Sequence, residues 1–340
     1  KSLACRAAAT STAFILLHLL AVREAYSTTP LSSSFYRSLA FIFREHENMA
    51  DFVDKQFSKE EVAGKVLEQY DEEHAQVYYR YVMGGGGYDI HFGVYRDPSW
   101  GVKESANATT ELMMTLMDWA KPCTKDSTVL DLGSGHGGGS HAIVQRFGCE
   151  VIGFNLGPGQ NSVNLRRCEE LGIQGKVSCV VGNLNEPLPA DWTEKFDFVW
   201  SCEVFCHAAD KVEVLKEIKR VLKPGGVFVM SDIMGADSAS EKELKDFTDR
   251  NATSQMARPS QYIKDLEAAG LHYVTYWDNS NNMQRYFADM LSQTVKHRDD
   301  MIKDGVPAQY IENWRQSLTD RVAIQKERNV FAHGVFVARK

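Results

Sequence analysis

Apolar and polar positions change rhythm along the chain. From Ser58, the segment SKEEVAGKVLEQYDEEHAQVYYRYVM carries a helix-start signal, Ser58 with Glu61 three residues on, and then apolar residues at helical spacing. It predicts one N-terminal helix ending in the glycine run 84–87, with YDIHFGVY (88–95) beyond it as a short extended segment or loop. A second helical pattern covers 106–120 and leads into Pro122. Short apolar runs then alternate with helices, at 128–132, 150–154, 177–181, 196–200 and 227–231. Strand alternating with helix predicts a parallel sheet with helices on both faces. After Asp232, helical patterns occupy 240–255, 260–269, 282–303 and 309–327, and two more strands are expected at 272–277 and 330–338. The expected fold is α/β, with a mostly parallel seven-stranded sheet flanked by helices. It divides into an N-terminal helical lid (49–121), a ligand-binding core (122–235) and helical insertions with the last two strands (236–340).

Composition narrows the function classes. With 340 residues, 44% hydrophobic and 24% charged, the chain can bury a sizeable core and is not disordered by composition. The 38 basic residues against 45 acidic ones give a net charge of −7, so no basic field exists to hold nucleic acid. Seven cysteines, odd in number and scattered, show no zinc spacing and read as reduced thiols. No metal constellation appears, and HRDD at 297–300 reads as a solvated helix face. Residues 1–48 stand apart: Lys1 and Arg6 precede a short apolar run, 14–22, then a Ser/Thr-rich stretch. They read as a presequence or non-native leader. The run is too short for a bilayer, so stable membrane insertion is not expected. The expected location is cytoplasmic, or an organelle if 1–48 is a transit peptide, and the expected state is a monomer or homodimer.

The most specific local pattern is VLDLGSGHGGGS (129–140), a strand ending in a glycine loop that opens a helix. Missing side chains there let a nucleotide-like ligand approach the backbone at the carboxyl end of the strand. Read as GxGxxG through Gly133, Gly135 and Gly138, the loop is a dinucleotide fingerprint of the kind nicotinamide dehydrogenases carry. Asp131 argues against that reading, because a carboxylate there repels a pyrophosphate but suits an ammonium or sulfonium group.

The stretch resembles the class I S-adenosylmethionine-dependent methyltransferases. FNLGPGQN (154–161) after strand two, VGNL (181–184) after strand three, FDFVWS (196–201) and LKPGG (222–226), taken as the turn into strand five, belong to the same resemblance. It implies a Rossmann-like methyltransferase fold and S-adenosyl-L-methionine as cofactor. It places Asp131, Gly133, Ser134 and Gly135 at the methionine end, Asn155, Leu156 and Gln160 by the ribose, Asn183 and Leu184 by adenine, and Ser201 and His91 beside them. Asn155 and Asn183 stand where the family more often has acidic residues, and an amide can still hydrogen-bond a hydroxyl or ring edge.

Within that class the chain looks like the sarcosine/dimethylglycine N-methyltransferases that make the osmolyte glycine betaine, and more remotely like the phosphoethanolamine methyltransferases. GGYDIHFGVY (86–95), FNLGPGQN, WSCEVFCHAADK (200–211) and the tail from Gln284 to HGVF (333–336) carry this resemblance. Cys202 and Glu203 depart from it, since the family more often has Gln-Asp. The resemblance implies a small-molecule amine as methyl acceptor. His207 stands where the phosphoethanolamine enzymes keep a proton-relaying histidine, and Tyr81 matches their lid tyrosine to within one residue. A core histidine and a packed surface tyrosine are the competing readings. Tyr95 is a candidate for closing over the ligands, and Arg258 or Arg285 for holding an acceptor carboxylate, against surface roles for both arginines.

Overall fold

The computed structural model describes residues 57–84, 86–250, 253 and 256–340. The reading of 1–48 as a presequence lies outside these residues. Seven strands form a single sheet in the order β3-β2-β1-β4-β5-β7-β6. They are β1 (Thr128–Leu132), β2 (Glu150–Asn155), β3 (Val177–Val181), β4 (Phe196–Cys202), β5 (Leu222–Gly235), β6 (His272–Asp278) and β7 (Phe331–Arg339). β1 to β5 pair in parallel, while β7 runs antiparallel between β5 and β6. The expected seven strands are all present. The helices are α1 (Lys59–Tyr70), α2 (Glu73–Val82), α3 (Val102–Ala120), α4 (Gly138–Phe147), α5 (Pro158–Glu170), α6 (Lys211–Val221), α7 (Glu241–Arg250), α8 (Pro259–Ala268), α9 (Met283–Lys296), α10 (Arg298–Lys303) and α11 (Ala308–Arg328).

Near-continuous apolar strands suit a sheet buried on both faces. Alternate residues of β1 serve opposite layers. Leu130 and Leu132 join Phe196, Leu215 of α6 and Leu266 of α8 in one core. Val129 joins Phe198, Met113 of α3 and Ile143 of α4 in the other. A third cluster, rich in aromatics, gathers Tyr78 and Tyr79 of α2, Phe287 of α9 and Trp314 of α11. α3 thus packs as a helix of the sheet's flank, whereas α2 belongs to the aromatic cluster. No helix among the described residues is long and apolar enough to cross a membrane.

Three local readings change. The single N-terminal helix is two, because the chain breaks at Asp71 and Glu72. Ser58 and Glu61 do form the reciprocal cap at the start of α1. At the break, the Asp71 carboxylate accepts the backbone N–H groups of Gly159 (3.4 Å) and Gln160 (2.8 Å) at the start of α5. A carboxylate on otherwise unpaired helix-start N–H groups is favourable. The 282–303 helix likewise divides at His297 into α9 and α10. The third change is LKPGG, which is not a turn before β5. Leu222 already pairs with Phe196, and the register shifts before Phe198 pairs with Val227.

Candidate active site

The strand order reverses between β1 and β4, and at such a switch point the carboxyl ends of two neighbouring strands leave a crevice. The cleft there encloses roughly 940 Å³ of non-atom space, its open mouth included. The glycine loop after β1 forms its floor. Gly133 takes φ +78°, and a Cβ on it would overlap the Val204 side chain; one on Gly138 would overlap Asp89 and the Tyr88 carbonyl. The loop therefore needs its glycines both for backbone conformation and for close approach.

Asp131 lines the cleft and is 3% exposed, with Ser140 Oγ donating to its Oδ2 at 2.5 Å. Burial raises its pKa to about 6, partly offset by the Ser140 hydrogen bonds. No lysine or arginine among the described residues pairs with it within 4 Å. The carboxylate is ready for a cationic ligand. Nearby, Ser134 Oγ is buried in the cleft without a hydrogen-bond partner among the described residues.

Asn155 links two parts of the cleft wall: its Oδ1 accepts from Gly135 N (3.3 Å), and its Nδ2 donates to Gln160 Oε1 (3.0 Å). Leu156, Gln160, Asn183 and Leu184 complete that wall. Asn183 Oδ1 caps its own turn by accepting from Asn185 N at 3.0 Å. His91 closes the opposite side, contacting Thr110 Oγ1 at 3.2 Å and Asp89 Oδ1 at 3.7 Å. Burial opposes its charge, but Asp89 prevails and its pKa is raised.

At the other end of the cleft, the short turn Phe205–His207 after β4 presents His207. The Tyr70 hydroxyl, from the last residue of α1, lies 3.4 Å from His207 Nε2. Glu203, which follows β4 and also lines the cleft, takes the left-handed backbone region at φ +58°. Its Oε1 lies 2.7 Å from His333 Nε2 on β7 and accepts from Ser231 Oγ at 3.3 Å. Its Oε2 is buried without a hydrogen-bond partner among the described residues. Two carboxylates, three imidazoles and two phenols thus surround a cleft with no lysine or arginine in its described lining. Chemically, such an arrangement can attract a cation and take a proton from it.

Residues 123–291 match a methyltransferase domain family. The chain is 31% identical over 271 residues to the sarcosine/dimethylglycine N-methyltransferase of Halorhodospira halochloris, covering 80% of this chain and 94% of that one. The chain belongs to the class I S-adenosylmethionine-dependent methyltransferases. The methyltransferase is also 30% identical to the dimethylglycine N-methyltransferase of Parasynechococcus marenigrum, over 72% of its own length and 84% of the relative's. Its fold matches that of a chain from Galdieria sulphuraria provisionally assigned as a sarcosine dimethylglycine methyltransferase, with TM-score 0.68, 24% identity, and 75% and 94% of the two chains covered. It also matches the Haemonchus contortus phosphoethanolamine N-methyltransferase 2 solved with S-adenosylhomocysteine, with TM-score 0.66, 15% identity, and 84% and 60% covered.

S-adenosylmethionine is the methyltransferase's cofactor, and the cleft fits it: a buried carboxylate without a cationic partner, an open Ser134 hydroxyl and a glycine floor with no room for side chains. Of the residues singled out from the sequence, Asp131, Gly133, Ser134, Gly135, Asn155, Leu156, Gln160, Asn183, Leu184, His91 and His207 line this one cleft. Five others do not. Ser201 is fully buried beneath the floor, donating to Leu132 O at 3.1 Å. Tyr81 donates to Asp304 Oδ2 at 2.8 Å and faces His297 rather than the cleft. Tyr95 donates to Asp289 Oδ2 at 2.7 Å, beneath the guanidinium of Arg285. Arg285 itself donates to the carbonyls of Pro98 and Trp100. Arg258 is held by Ala239 O and by Glu241, 2.6 Å away.

Tyr70 and Glu203 were missed. Residues 70 and 81 are eleven apart, three turns plus roughly 20° of an unbroken helix, so they would share a face. The break at Asp71 separates them, and Tyr70 alone reaches His207. Glu203 carried a sequence signal in its departure from Gln-Asp, but its partner His333 lies 130 residues away.

Proposed function

We propose that this methyltransferase transfers methyl groups to the amines of sarcosine and dimethylglycine, forming glycine betaine. The observation that carries the reading is the end of the cleft where the Tyr70–His207 pair stands with Glu203, whose Oε2 has no hydrogen-bond partner among the described residues. The Halorhodospira relative, named for sarcosine and dimethylglycine, supports both acceptors, and the Parasynechococcus relative, named for dimethylglycine, supports the second.

Bound S-adenosylmethionine supplies an electrophilic methyl group. Asp131 and the Gly133–Gly135 loop would hold its methionine end, Asn155, Leu156 and Gln160 its ribose, and Asn183 and Leu184 its adenine. The acceptor arrives as an ammonium ion and becomes a nucleophile only after losing a proton. Glu203 would attract the ammonium through its open Oε2, while His333 keeps the carboxylate turned toward the cleft. His207 would accept the proton, its ring oriented by the Tyr70 hydroxyl. The aromatic side chains of Tyr70, Tyr88 and Trp200 line the cleft and exclude water from the reacting groups. A phosphate-bearing acceptor would bring up to two negative charges to a lining without lysine or arginine among the described residues, which favours the methylated glycines with their single carboxylate.

The test is incubation with S-adenosylmethionine and a panel of sarcosine, dimethylglycine, phosphoethanolamine and a thioether acid. The reading expects turnover of both glycine derivatives. Turnover confined to phosphoethanolamine or the thioether would sink it.

A further inference from the structure

Asp71 occupies a cradle built from two glycines. Gly157 and Gly159 flank Pro158 at the start of α5. A Cβ on Gly157 would stand 2.5 Å from Asp71 Oδ1, and one on Gly159 would stand 2.8 Å from it. The carboxylate fills that space and accepts the N–H groups of Gly159 at 3.4 Å and Gln160 at 2.8 Å. Neither glycine takes a positive φ, so it is the close approach of Asp71, and not backbone conformation, that requires them.

Asp71 directly follows Tyr70, and few other contacts fix this end of α1. Val62 is the one buried residue in the helix. The Lys59–Glu186 ion pair (3.3 Å) lies on the surface, where such pairs contribute little. Gln76 Nε2 donates to the Asp71 carbonyl at 2.9 Å, which ties the break to α2 but not to the cleft. Tyr79 stacks on the Tyr70 ring at 5.6 Å between centres, a contact less directional than the hydrogen bonds of Asp71. Beyond the cradle, Gln160 Oε1 accepts from Asn155 Nδ2 at 3.0 Å, and Asn155 Oδ1 accepts from Gly135 N at 3.3 Å. The residue next to Tyr70 is thereby joined to the wall and floor of the cleft, while the Tyr70 hydroxyl stands 3.4 Å from His207 Nε2.

We infer that Asp71 is a positioning residue for methyl transfer: seated between Gly157 and Gly159, it holds the Tyr70 hydroxyl beside His207 from the wall of the cleft. The inference rests on the reading above in which His207, oriented by Tyr70, takes the acceptor's proton. It does not depend on which amine is methylated.

The experiment measures rates on dimethylglycine, or on whichever amine of the panel turns over. Asp71→Ala should lower kcat about 3- to 10-fold, no more than loss of the Tyr70 hydroxyl itself. Affinity for S-adenosylhomocysteine should be retained, because Asn155 still holds Gln160. Asp71→Asn keeps an oxygen for the Gln160 N–H and should stay within about twofold of wild type. Gly159→Ala reaches the cradle from the other side and serves if Asp71→Ala does not fold: the added methyl group displaces the carboxylate, and kcat should fall by a similar factor. Its melting temperature should stay close to wild type, since alanine favours a helix over glycine and offsets the lost contacts. Combined with Tyr70→Phe, neither change should slow the enzyme further, whereas independent roles would multiply. If either Asp71→Ala or Gly159→Ala folds and keeps the wild-type kcat, or if its loss multiplies with that of Tyr70→Phe, the inference fails while the proton-removal reading stands. If Tyr70→Phe itself keeps the wild-type kcat, that reading fails and takes this inference with it.

Discussion

The Tyr70 hydroxyl lies 3.4 Å from His207 Nε2, and the two rings meet edge to face at 82°. The contact joins the end of α1 to the turn after β4, across 137 residues. Removing the hydroxyl should loosen the imidazole without opening the cleft. Tyr70→Phe is expected to lower kcat about 3- to 10-fold, the worth of one hydrogen bond. Tyr81→Phe should leave kcat at the wild-type value, since that hydroxyl bonds Asp304 outside the cleft. Steady-state rates of the two variants, measured side by side, check the assignment; a larger loss in the Tyr81 variant would reverse it.

His207→Ala should lower kcat by about 10²- to 10⁴-fold with little change in cofactor affinity. An amine deprotonated in solution needs no proton acceptor, so raising the pH should partly restore the variant. A histidine with a purely structural role would instead lower the melting temperature and leave the rate–pH profile unchanged in shape. Rate profiles and melting curves of both proteins separate these outcomes.

Asp131 gives a pH dependence of definite sign. Its pKa, raised by burial from 3.8 to about 6, means that the carboxylate is largely protonated below pH 6 in the free protein. S-adenosylmethionine affinity should therefore fall as pH drops through 6 and level off above it. Free-protein stability runs the other way: between about pH 4 and 6 the unfolded chain has already released this proton, so raising the pH costs stability, up to about 3 kcal/mol. Asp131→Asn should flatten both curves and weaken S-adenosylmethionine more than adenosine. Calorimetric titrations at several pH values test the first part, and denaturation midpoints the second.

Gly138→Ala tests the closeness of the 88–95 segment to the glycine loop. The Gly138 N–H donates to Tyr88 O at 3.2 Å, and an added methyl group would meet that carbonyl and the Asp89 side chain. The expected cost is about 1–3 kcal/mol of stability, with weaker cofactor binding because His91 shifts with the segment. A melting temperature and cofactor affinity equal to wild type would refute the close approach.

The sequence by itself determined the sheet and most of the residues that line one wall and the floor of the cleft. Strand-length apolar runs, glycines at a strand's end and Asp131 two residues before them are local features, each written within a few consecutive residues. Local propensity and patterning act at that range, so the seven strands and the cleft-lining set from Asp131 to Leu184 were legible. Tertiary structure alone decided the end of the cleft around His207. The helix break at Asp71 is fixed by hydrogen bonds to α5, and it turns Tyr70 rather than Tyr81 toward His207. Glu203 is oriented by His333 from β7. Arg258 and Arg285 were drawn away by carbonyls and Glu241 that only folding places beside them. These relations depend on which distant groups compete for a given donor or acceptor, and spacing along the chain carries no record of that competition.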